Sequence, residues 1–554
     1  MNEINLKNIP NPIIEILANR GIFGEDALRE YFSIKPKLTY DPFLLKNMKA
    51  GVDLILDNIN GGRKIVIYGD YDTDGITSTA LLLKFLGKLT VNLDYYIPSR
   101  IDEGYGLNMT AIEKIHSMGC NLLITVDCGS VSKNEVEYAR SLGMDTLVTD
   151  HHTVGEVISD GPVINPKQPG DDYPFNELAG VGVAYKLAQG IQRKLGLPKC
   201  YITELLDLVA VGTIGDMVSL TDENRTLVKY GIRLIKTGEC NKGIMKLFNK
   251  SSIDINKINA REISYGIVPK INAAGRLSDA KIALKLLMAE DDEEIEKYGS
   301  MLVDINNKRK SLQDDIYKKC IEIVNENHKD DSFLVVNAEN AHEGITGIVA
   351  GKIKEYFKRP TIIVTNNGDY LKGTGRSIQG VNLYNMLSNN NNLFIKFGGH
   401  KAACGFTAEA GRLNEIRGSL TKEMDLIARE NPLIFQLENK EDLIIGVKDA
   451  DLNLIKSLEL MEPLGSDNEY PIFKINGVLL KDIRFMGSSN EHVRFMAEDK
   501  DKNIIQCILF NNALKHREML NSSKEVNLLG LIEINEWNNK ISVQMKVIDI
   551  DEGN

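Results

Sequence analysis

The stretch KIVIYGDYDTDG, residues 64–75, decides the fold class. It begins as a short apolar run rich in β-branched residues, which is typical of a buried strand, and it ends in closely spaced carboxylates. Two later runs have the same form, NLLITVDCG at 121–129 and DTLVTDHH at 145–152. Helical stretches such as ITSTALLLKFLGKL separate them. This alternation predicts a mainly parallel α/β sheet, in which ligands bind at the carboxyl ends of the strands, where these acids fall.

Asp70, Asp72 and Asp74 lie within five residues of one another, and such close acids repel unless a cation or a helix N-terminus compensates them. Taken alone, they could form a solvated acidic turn that caps a helix. Further acids and imidazoles follow the other runs and the helical stretch TELLDLVAVGTI: Asp127, Asp150, His151, His152 and Asp216. Carboxylates with one or two imidazoles suit Mn²⁺ or Mg²⁺, and two such ions about 3.5–4 Å apart favour phosphoryl transfer. We therefore expect two divalent ions.

The rest of the chain predicts more domains. Apolar positions at three-four spacing over residues 290–326 predict one long amphipathic helix that joins two domains. A second α/β segment follows, with strands SFLVVNA and PTIIVT, and beyond residue 440 a β-rich pattern predicts a small barrel of the OB type. The predicted parts are an N-terminal segment at 1–45, an α/β domain at 46–288, the connecting helix at 289–328, a second α/β domain at 329–435 and the barrel at 440–554.

The composition restricts the class of protein. A chain of 554 residues exceeds what one hydrophobic core accommodates, and its 43% hydrophobic and 26% charged residues are ordinary for a soluble protein. It contains neither an apolar run long enough for a membrane span nor a signal peptide, and its seven cysteines form no CxxC pair, so we expect a cytoplasmic protein. The net charge of -11 argues only weakly against nucleic-acid binding, because local basic patches and metals decide it.

Several motifs carry a resemblance to a known family. GDYDTDG, VDCG, TDHH and GTIGDM, in this order and spacing, resemble the four motifs of the DHH phosphoesterase superfamily. KINAAGRLSDA, HEGITGIVAGKI, LKGTGRSI and FGGHKAACGF resemble the RecJ exonuclease family within it, and the C-terminal HVRFMAED resembles part of its OB domain. The resemblance covers about residues 50–550. It implies an α/β fold in which DHH and DHH-associated domains are joined by a long helix and followed by an OB-like β-barrel.

The resemblance also implies roles for residues in the metal site. The implied metal ligands are Asp72, Asp74, Asp127, His151 and Asp216. Asp127 bridges the two ions, while Asp70 and Asp150 orient ligands. His152 faces the scissile phosphate as a hydrogen-bond donor, so that His152, Asp127 and Arg276 are the predicted catalytic residues. A histidine ligand of related pyrophosphatases is replaced by Tyr68 here.

Basic residues beside glycines are the predicted substrate contacts, because the backbone can approach a phosphate closely there. Taken singly, each could instead be a solvated arginine beside a turn. With the resemblance, Arg100 and Arg376 are expected to grip a 5′ phosphate, with Thr374 or Ser377 as auxiliary donors. The predicted contacts to the phosphates that flank the scissile bond are Arg276 and His400.

The activity implied by the resemblance is a metal-dependent 5′→3′ exonuclease. It hydrolyses single-stranded DNA to 5′-mononucleotides in DNA repair and recombination, acts as a monomer, and works with a single-strand-binding protein and a helicase. The alternative is a DHH phosphodiesterase that acts on RNA, short oligonucleotides or cyclic dinucleotides. A non-catalytic binding module on the same fold would be expected to lose metal ligands, and all of them are present.

Overall fold

The computed structural model describes residues 6–100, 102–155, 158–435, 440–487, 490–513, 515–522, 524–537 and 540–552. The helices are α1 (Asn11–Asn19), α2 (Glu25–Phe32), α3 (Met48–Asn60), α4 (Thr73–Leu86), α5 (Met109–Ser117), α6 (Lys133–Ser141), α7 (Gly180–Leu195), α8 (Cys200–Thr203), α9 (Leu206–Asp216), α10 (Asp222–Lys236), α11 (Lys242–Lys250), α12 (Ala260–Glu262), α13 (Val268–Leu277), α14 (Lys281–Met288), α15 (Asp292–Asn327), α16 (Glu343–Phe357), α17 (Leu383–Asn389), α18 (Leu413–Glu430), α19 (Leu452–Leu458) and α20 (Arg517–Asn521).

The strands fall into three sheets. They are β1 (Ile65–Gly69), β2 (Leu93–Tyr96), β3 (Leu122–Val126), β4 (Asp145–Thr149), β5 (Val163–Ile164), β6 (Leu334–Asn337), β7 (Thr361–Asn367), β8 (Tyr370–Arg376), β9 (Lys396–His400), β10 (Ala403–Glu409), β11 (Leu443–Ile444), β12 (Phe473–Met486), β13 (His492–Glu498), β14 (Ile504–Leu509), β15 (Val526–Trp537) and β16 (Lys540–Glu552).

The first sheet is parallel throughout, in the order β2-β1-β3-β4-β5, as the sequence predicts. Successive residues of β1 face opposite sides, because side chains alternate along a strand. Ile65 and Ile67 pack in a core with α3, α4 and α7, whereas Val66 and Tyr68 pack with α5 and α6. Since β1, β3 and β4 are neighbours in register, the loops that follow them meet at one edge of the sheet. This edge positions the candidate site.

The predicted connecting helix is confirmed as α15, 36 residues long. The Asp291 side chain caps it by accepting hydrogen bonds from the backbone N–H groups of Glu293 and Glu294. The helix packs against α11, α13 and α14 of the first domain and against α16 of the second. Arg309, which interrupts the apolar pattern, is buried and donates hydrogen bonds to Asn306 and Gln313 of the same helix.

The second sheet has the order β6-β7-β8-β10-β9, with β6 and β7 parallel and the remaining pairs antiparallel. In the C-terminal region β12, β13, β14, β16 and β15 pair in this order, and β15 pairs back to β12. This closes a five-stranded barrel, which confirms the predicted OB-like domain. Each of the three domains has its own hydrophobic core. The exact residues at which the domains begin and end stay predictions from the sequence.

The N-terminal segment packs on the barrel domain, which sequence patterns do not reveal. Ile13 and Ile16 of α1 and Phe32 of α2 belong to the same hydrophobic core as Phe473 and Phe495 of the barrel. Next to this core, a single buried arginine joins three parts of the chain. Arg225 of α10 donates hydrogen bonds to the carbonyl oxygens of Tyr31, Met461, Glu462 and Pro463.

In the part of the chain that the structure describes, we find no helix with both the length and the apolar character needed to cross a bilayer.

Candidate active site

The loop between β1 and α4 carries the first carboxylates. Asp72 is the N-cap of α4, where its Oδ1 accepts hydrogen bonds from the backbone N–H groups of Asp74 and Gly75. Both oxygens of Asp74 accept hydrogen bonds from the first turn of α7, at 2.6 Å from Gly180 N and 2.8 Å from Val181 N. Two helix N-termini therefore stabilise negative charge at this edge of the sheet.

Gly180 allows α7 to approach these carboxylates. A Cβ atom at this position would lie 2.8 Å from Asp127 Cβ and 2.9 Å from Asp74 Oδ2, closer than packed atoms tolerate. The sequence analysis missed Gly180. The AGVG stretch at the start of a helical run, 179–182, was the signal that could have indicated it.

Asp127 directly follows β3 in an unusual backbone conformation, with a φ of 61°. Residues other than glycine rarely adopt this left-handed region, and such strain is concentrated at functional sites. Asp127 is 2% exposed, and its Oδ1 has no hydrogen-bond partner among the described residues. A buried carboxylate oxygen without a partner is costly, which indicates a ligand such as a cation.

His151 faces this oxygen. Its Nε2 lies 3.1 Å from Asp127 Oδ1, 3.5 Å from Asp216 Oδ2 and 3.7 Å from Asp74 Oδ2. Neither ring nitrogen of His151 makes a hydrogen bond within the described part of the chain. Burial and the charge of His152 lower the pKa of His151 to about 3, so the ring is neutral, which is the form that binds metals. An imidazole nitrogen that converges with three carboxylates without hydrogen-bond geometry is the arrangement of a metal site.

The carboxylates repel one another in the absence of a cation. Burial and the charge of Asp72 raise the pKa of Asp74 to about 7. Burial and the charges of Asp74 and Asp72 raise the pKa of Asp216, at the end of α9, to about 8. Burial and then the charge of Asp74 also raise the pKa of Asp127 well above its usual range. A bound divalent cation would remove this repulsion.

Asp150 organises the two histidines. Its Oδ1 accepts hydrogen bonds from the backbone N–H groups of His151 and His152, and its Oδ2 accepts one from Ser130 N. His152 Nδ1 lies 2.9 Å from Asp150 Oδ1. Burial disfavours the charged form of His152, but the hydrogen bond and charge of Asp150 outweigh it and raise the pKa of His152 to about 9. In the absence of a bound cation the nearby carboxylates favour the protonated imidazole, which can donate to a phosphate.

The ligand atoms form three overlapping groups, within each of which all atoms lie within 4.8 Å of one another. The groups are Asp127, His151 and His152; Asp74, His151 and Asp216; and Asp70, Asp72 and Asp127. All predicted ligands belong to them, and the donor set fits one or two divalent ions. Asp70, predicted only to orient a ligand, and His152, predicted only as a hydrogen-bond donor, are both placed among the candidate ligands. The Tyr68 hydroxyl donates to Gly106 O at 2.7 Å and so is engaged elsewhere.

A cleft of about 460 Å³ lies between the first and second domains, and its lining residue Tyr105 contacts His152 of the metal site. Arg100 and Tyr105 line it from the first domain, and Lys372 and Thr374 line it from the second. Because residues of both domains form its walls, the cleft depends on the way α15 joins them.

Three arginines gather around this region. Arg276 lies in the last turn of α13, and Arg376 ends β8. Arg100 lies in the loop after β2, with its guanidinium 5.0 Å from the centre of the Tyr71 ring. Burial and the charges of Arg100 and Arg376 lower the pKa of Arg276, and burial and the charge of Arg100 lower the pKa of Arg376. Within the described ranges, none of the three arginines forms an ion pair with a carboxylate. Repelling cations without counter-ions are typical of an anion-binding site.

The remaining predicted contacts differ in position. The Thr374 hydroxyl lines the cleft and accepts a hydrogen bond from Thr346 Oγ1. Ser377 is buried, and its hydroxyl donates to Val381 O at 2.8 Å. His400 is exposed at the end of β9 and does not belong to the cleft lining. The roles of these three residues stay predictions, and Ser377 is the least available as a donor.

Tyr105 is a second residue that the sequence analysis missed. Its hydroxyl lies 3.2 Å from Nδ1 and 3.3 Å from Nε2 of His152, and its ring lines the cleft. Tyr105 thus connects the anion cleft to the metal site. The signal was its place between two glycines in EGYGLN, residues 103–108.

The parallel sheet with carboxylates and imidazoles at its edge, followed by a second α/β domain across a cationic cleft, defines a phosphoesterase of the DHH class. Three family models match the chain: "DHH family, N-terminal domain" at residues 64–213, "DHHA1 domain" at 330–425 and "RecJ OB domain" at 441–549.

Comparison with curated relatives and solved structures identifies the family within this class. The chain is 36% identical to the single-stranded-DNA-specific exonuclease RecJ of Bacillus subtilis over 97% of this chain and 67% of that protein. It is 31% identical to the RecJ of Escherichia coli over 98% of this chain and 96% of that protein. The crystal structure of Thermus thermophilus RecJ in complex with Mn²⁺ matches 99% of this chain and 79% of that chain, with a TM-score of 0.80 and 26% identity. The chain belongs to the RecJ family.

Proposed function

We propose that this protein is a metal-dependent 5′→3′ exonuclease that hydrolyses single-stranded DNA to 5′-mononucleotides. The observation that carries the proposal is the placement of the carboxylate–imidazole site beside a cleft lined by cations. Asp127 belongs to two ligand groups, and the guanidinium groups of Arg100, Arg276 and Arg376 lack carboxylate partners in the described parts of the chain. A phosphodiester is an anion that satisfies both features. The relatives named single-stranded-DNA-specific exonucleases support the choice of substrate.

The ligand groups support two divalent ions, Mn²⁺ or Mg²⁺, held by Asp72, Asp74, Asp127, His151 and Asp216. When bound, such ions lower the pKa of a coordinated water and offset charge on the phosphoryl oxygens. The chain itself supplies hydrogen-bond donors and fixed cations. His152 donates to the scissile phosphate, while Asp150 keeps its ring in place. Arg276 offsets the negative charge of the same phosphate.

Direction follows from arginines that both domains contribute. Arg100 of the first domain and Arg376 of the second bind the 5′-terminal phosphate, so the first phosphodiester lies at the metal site. Thr374 lines the cleft from the second domain and is a further donor. Tyr105 lies between the two ends of the cleft and contacts the nucleotide that spans them.

The cellular setting forms part of the same proposal. We expect a cytoplasmic monomer that acts in DNA repair and recombination with a single-strand-binding protein and a helicase. Free cysteines without disulfides among the described residues agree with a reducing compartment.

A panel of substrates tests the proposal. Single-stranded DNA, duplex DNA, single-stranded RNA and a cyclic dinucleotide of equal nucleotide concentration are incubated with the protein and Mn²⁺, and products are separated by chromatography. We expect single-stranded DNA to be degraded fastest and to yield mononucleotides. Faster cleavage of RNA or of the cyclic dinucleotide would instead favour the alternative DHH phosphodiesterase.

Replacing Arg376 tests the basis of direction. If its guanidinium binds the 5′ phosphate, Arg376→Ala should reduce the preference for 5′-phosphorylated over 5′-hydroxyl strands by about 10-fold or more. Arg376→Lys should retain only part of this preference, because the ammonium group of lysine cannot form the bidentate hydrogen bonds of a guanidinium. The measurement is kcat/KM on both kinds of strand. Exposed Arg429 on α18 gives a matched control, since Arg429→Ala removes an arginine of the same domain outside the cleft. An unchanged ratio in Arg376→Ala would refute this role.

A further inference from the structure

Helix α13 presents a second polar side chain toward the metal-site loop, besides Arg276. Asn272 lies one turn before Arg276, and residues four apart share a helix face. Asn272 Oδ1 accepts a hydrogen bond from Thr73 N at 2.8 Å and another from Thr73 Oγ1 at 3.0 Å. Helix α13 lies close against this loop, because a Cβ on Gly275 would come within 2.7 Å of Tyr71 O. The amide of Asn272 is therefore held against Thr73, the residue that separates Asp72 from Asp74 in the sequence.

These contacts determine the orientation of the amide. A backbone N–H can only donate, so the atom that it contacts must be the carbonyl oxygen, and Nδ2 is the other end. Asn272 is half-buried, yet its Nδ2 has no hydrogen-bond partner in the described part of the chain. Asn272 thus carries an oriented amide donor without a partner among the described residues, at the loop that bears Asp72 and on the helix face that carries Arg276.

We propose that Asn272 contacts the substrate directly, with Nδ2 donating to a non-bridging oxygen of the scissile phosphate while Oδ1 holds the metal-site loop. The inference rests on the proposed function and adds a residue to it. The neutral amide suits this place, because it supplies a preorganised donor without adding a positive charge that would oppose metal binding. Arg276, one turn away, supplies the charge for the same phosphate.

The competing explanation is that Asn272 serves only as an anchor for Thr73. Two variants separate the roles. Asn272→Asp keeps both acceptor contacts to Thr73 and removes the donor, whereas Asn272→Ala removes both. If the donor matters, kcat on single-stranded DNA should fall by about 100-fold in either variant, with a smaller change in KM. Wild-type kcat in Asn272→Asp would indicate an anchor alone, and because the new carboxylate also adds negative charge, a sulfur substitution in the substrate separates loss of the donor from charge repulsion. Asn249→Ala, an exposed asparagine on α11, is the control for general effects.

A sulfur substitution gives a readout that an anchoring role would not change. Single strands are prepared with a phosphorothioate of either configuration at the first scissile position. Sulfur accepts hydrogen bonds poorly, so for one configuration the donor contact is already lost in the wild type. On the unmodified strand Asn272→Ala should lower kcat. We expect this fall in kcat to be at least about fivefold smaller on that one diastereomer. Equal losses on both diastereomers, or unchanged kcat in Asn272→Asp, would overturn the inference. A wild-type protein that does not cleave the unmodified strand would instead overturn the proposed function.

Discussion

Asp127→Ala and Asp127→Asn should each lower kcat on single-stranded DNA by about 1000-fold or more. Asp127 contributes to two of the three ligand groups, so its loss weakens both candidate ion positions at once. Each 1.4 kcal/mol lost from the transition state costs about tenfold in rate, and a metal contributes several kcal/mol. The measurement is single-turnover cleavage of a 5′-labelled strand in saturating Mn²⁺.

Asparagine and alanine differ in how well they tolerate the backbone conformation of residue 127. Asp127 has a φ of 61°, which asparagine tolerates and alanine does not, at a cost of about 1–2 kcal/mol for alanine. Asp127→Asn should therefore fold with little loss of stability and still be inactive. Its melting temperature and its binding of single-stranded DNA should stay close to those of the wild type. Asp160→Ala, which removes an exposed carboxylate of the same domain, is the matched control and should keep the wild-type rate.

A structural role for Asp127 without metal binding predicts a different outcome. A strand-end carboxylate without ligand function would cost about 1 kcal/mol of stability and leave the rate intact. Retention of most of the wild-type rate by Asp127→Asn would therefore contradict the proposed role.

Removal of divalent ions should abolish cleavage completely, and addition of Mn²⁺ or Mg²⁺ in excess should restore it. The site is dominated by carboxylates, which bind these hard cations. Buried Asp74, Asp127 and Asp216 repel one another and have raised pKa values in the absence of a cation. The ions should consequently also stabilise the fold, by about 2.7 kcal/mol at 100 times their dissociation constant.

Two readouts check this prediction independently. Cleavage is followed after treatment with EDTA and after addition of each ion, and the melting temperature is recorded under the same conditions. Asp127→Asn should show a smaller rise in melting temperature with Mn²⁺ than the wild type, whereas Asp160→Ala should show the full rise. Full cleavage in excess EDTA would refute metal dependence.

Local patterns in the sequence predicted the elements that place the metal site. The apolar runs before Asp70, Asp127 and Asp150 are strands β1, β3 and β4 of a parallel sheet, because their β-branched composition and their spacing report on local structure. The 36-residue helix and the closed barrel were predicted for the same reason.

Contacts between distant segments could not be predicted in this way. The packing of α1 and α2 on the barrel joins residues more than 400 positions apart, and the pattern of either segment alone indicates only an apolar face. Arg309 interrupts the apolar pattern of α15, yet it is buried because Asn306 and Gln313 accept hydrogen bonds from its guanidinium.

The same limit applies to the candidate site. Residue types and motifs indicated its ligands, whereas the roles of Gly180, Tyr105 and Asn272 depend on distances across the fold. Gly180 is required because α7 approaches Asp127, and Tyr105 matters because its loop folds over His152.

The proposed activity removes nucleotides from the 5′ end of single-stranded DNA. One strand is prepared with a label at its 5′ end or at its 3′ end, and each is incubated with the protein and Mn²⁺. We predict that the 5′ label appears in mononucleotides from the earliest time points, while the 3′-labelled strand shortens stepwise. Early release of the 3′ label, or internal cleavage that gives labelled fragments of intermediate length from the 5′-labelled strand, would contradict the account.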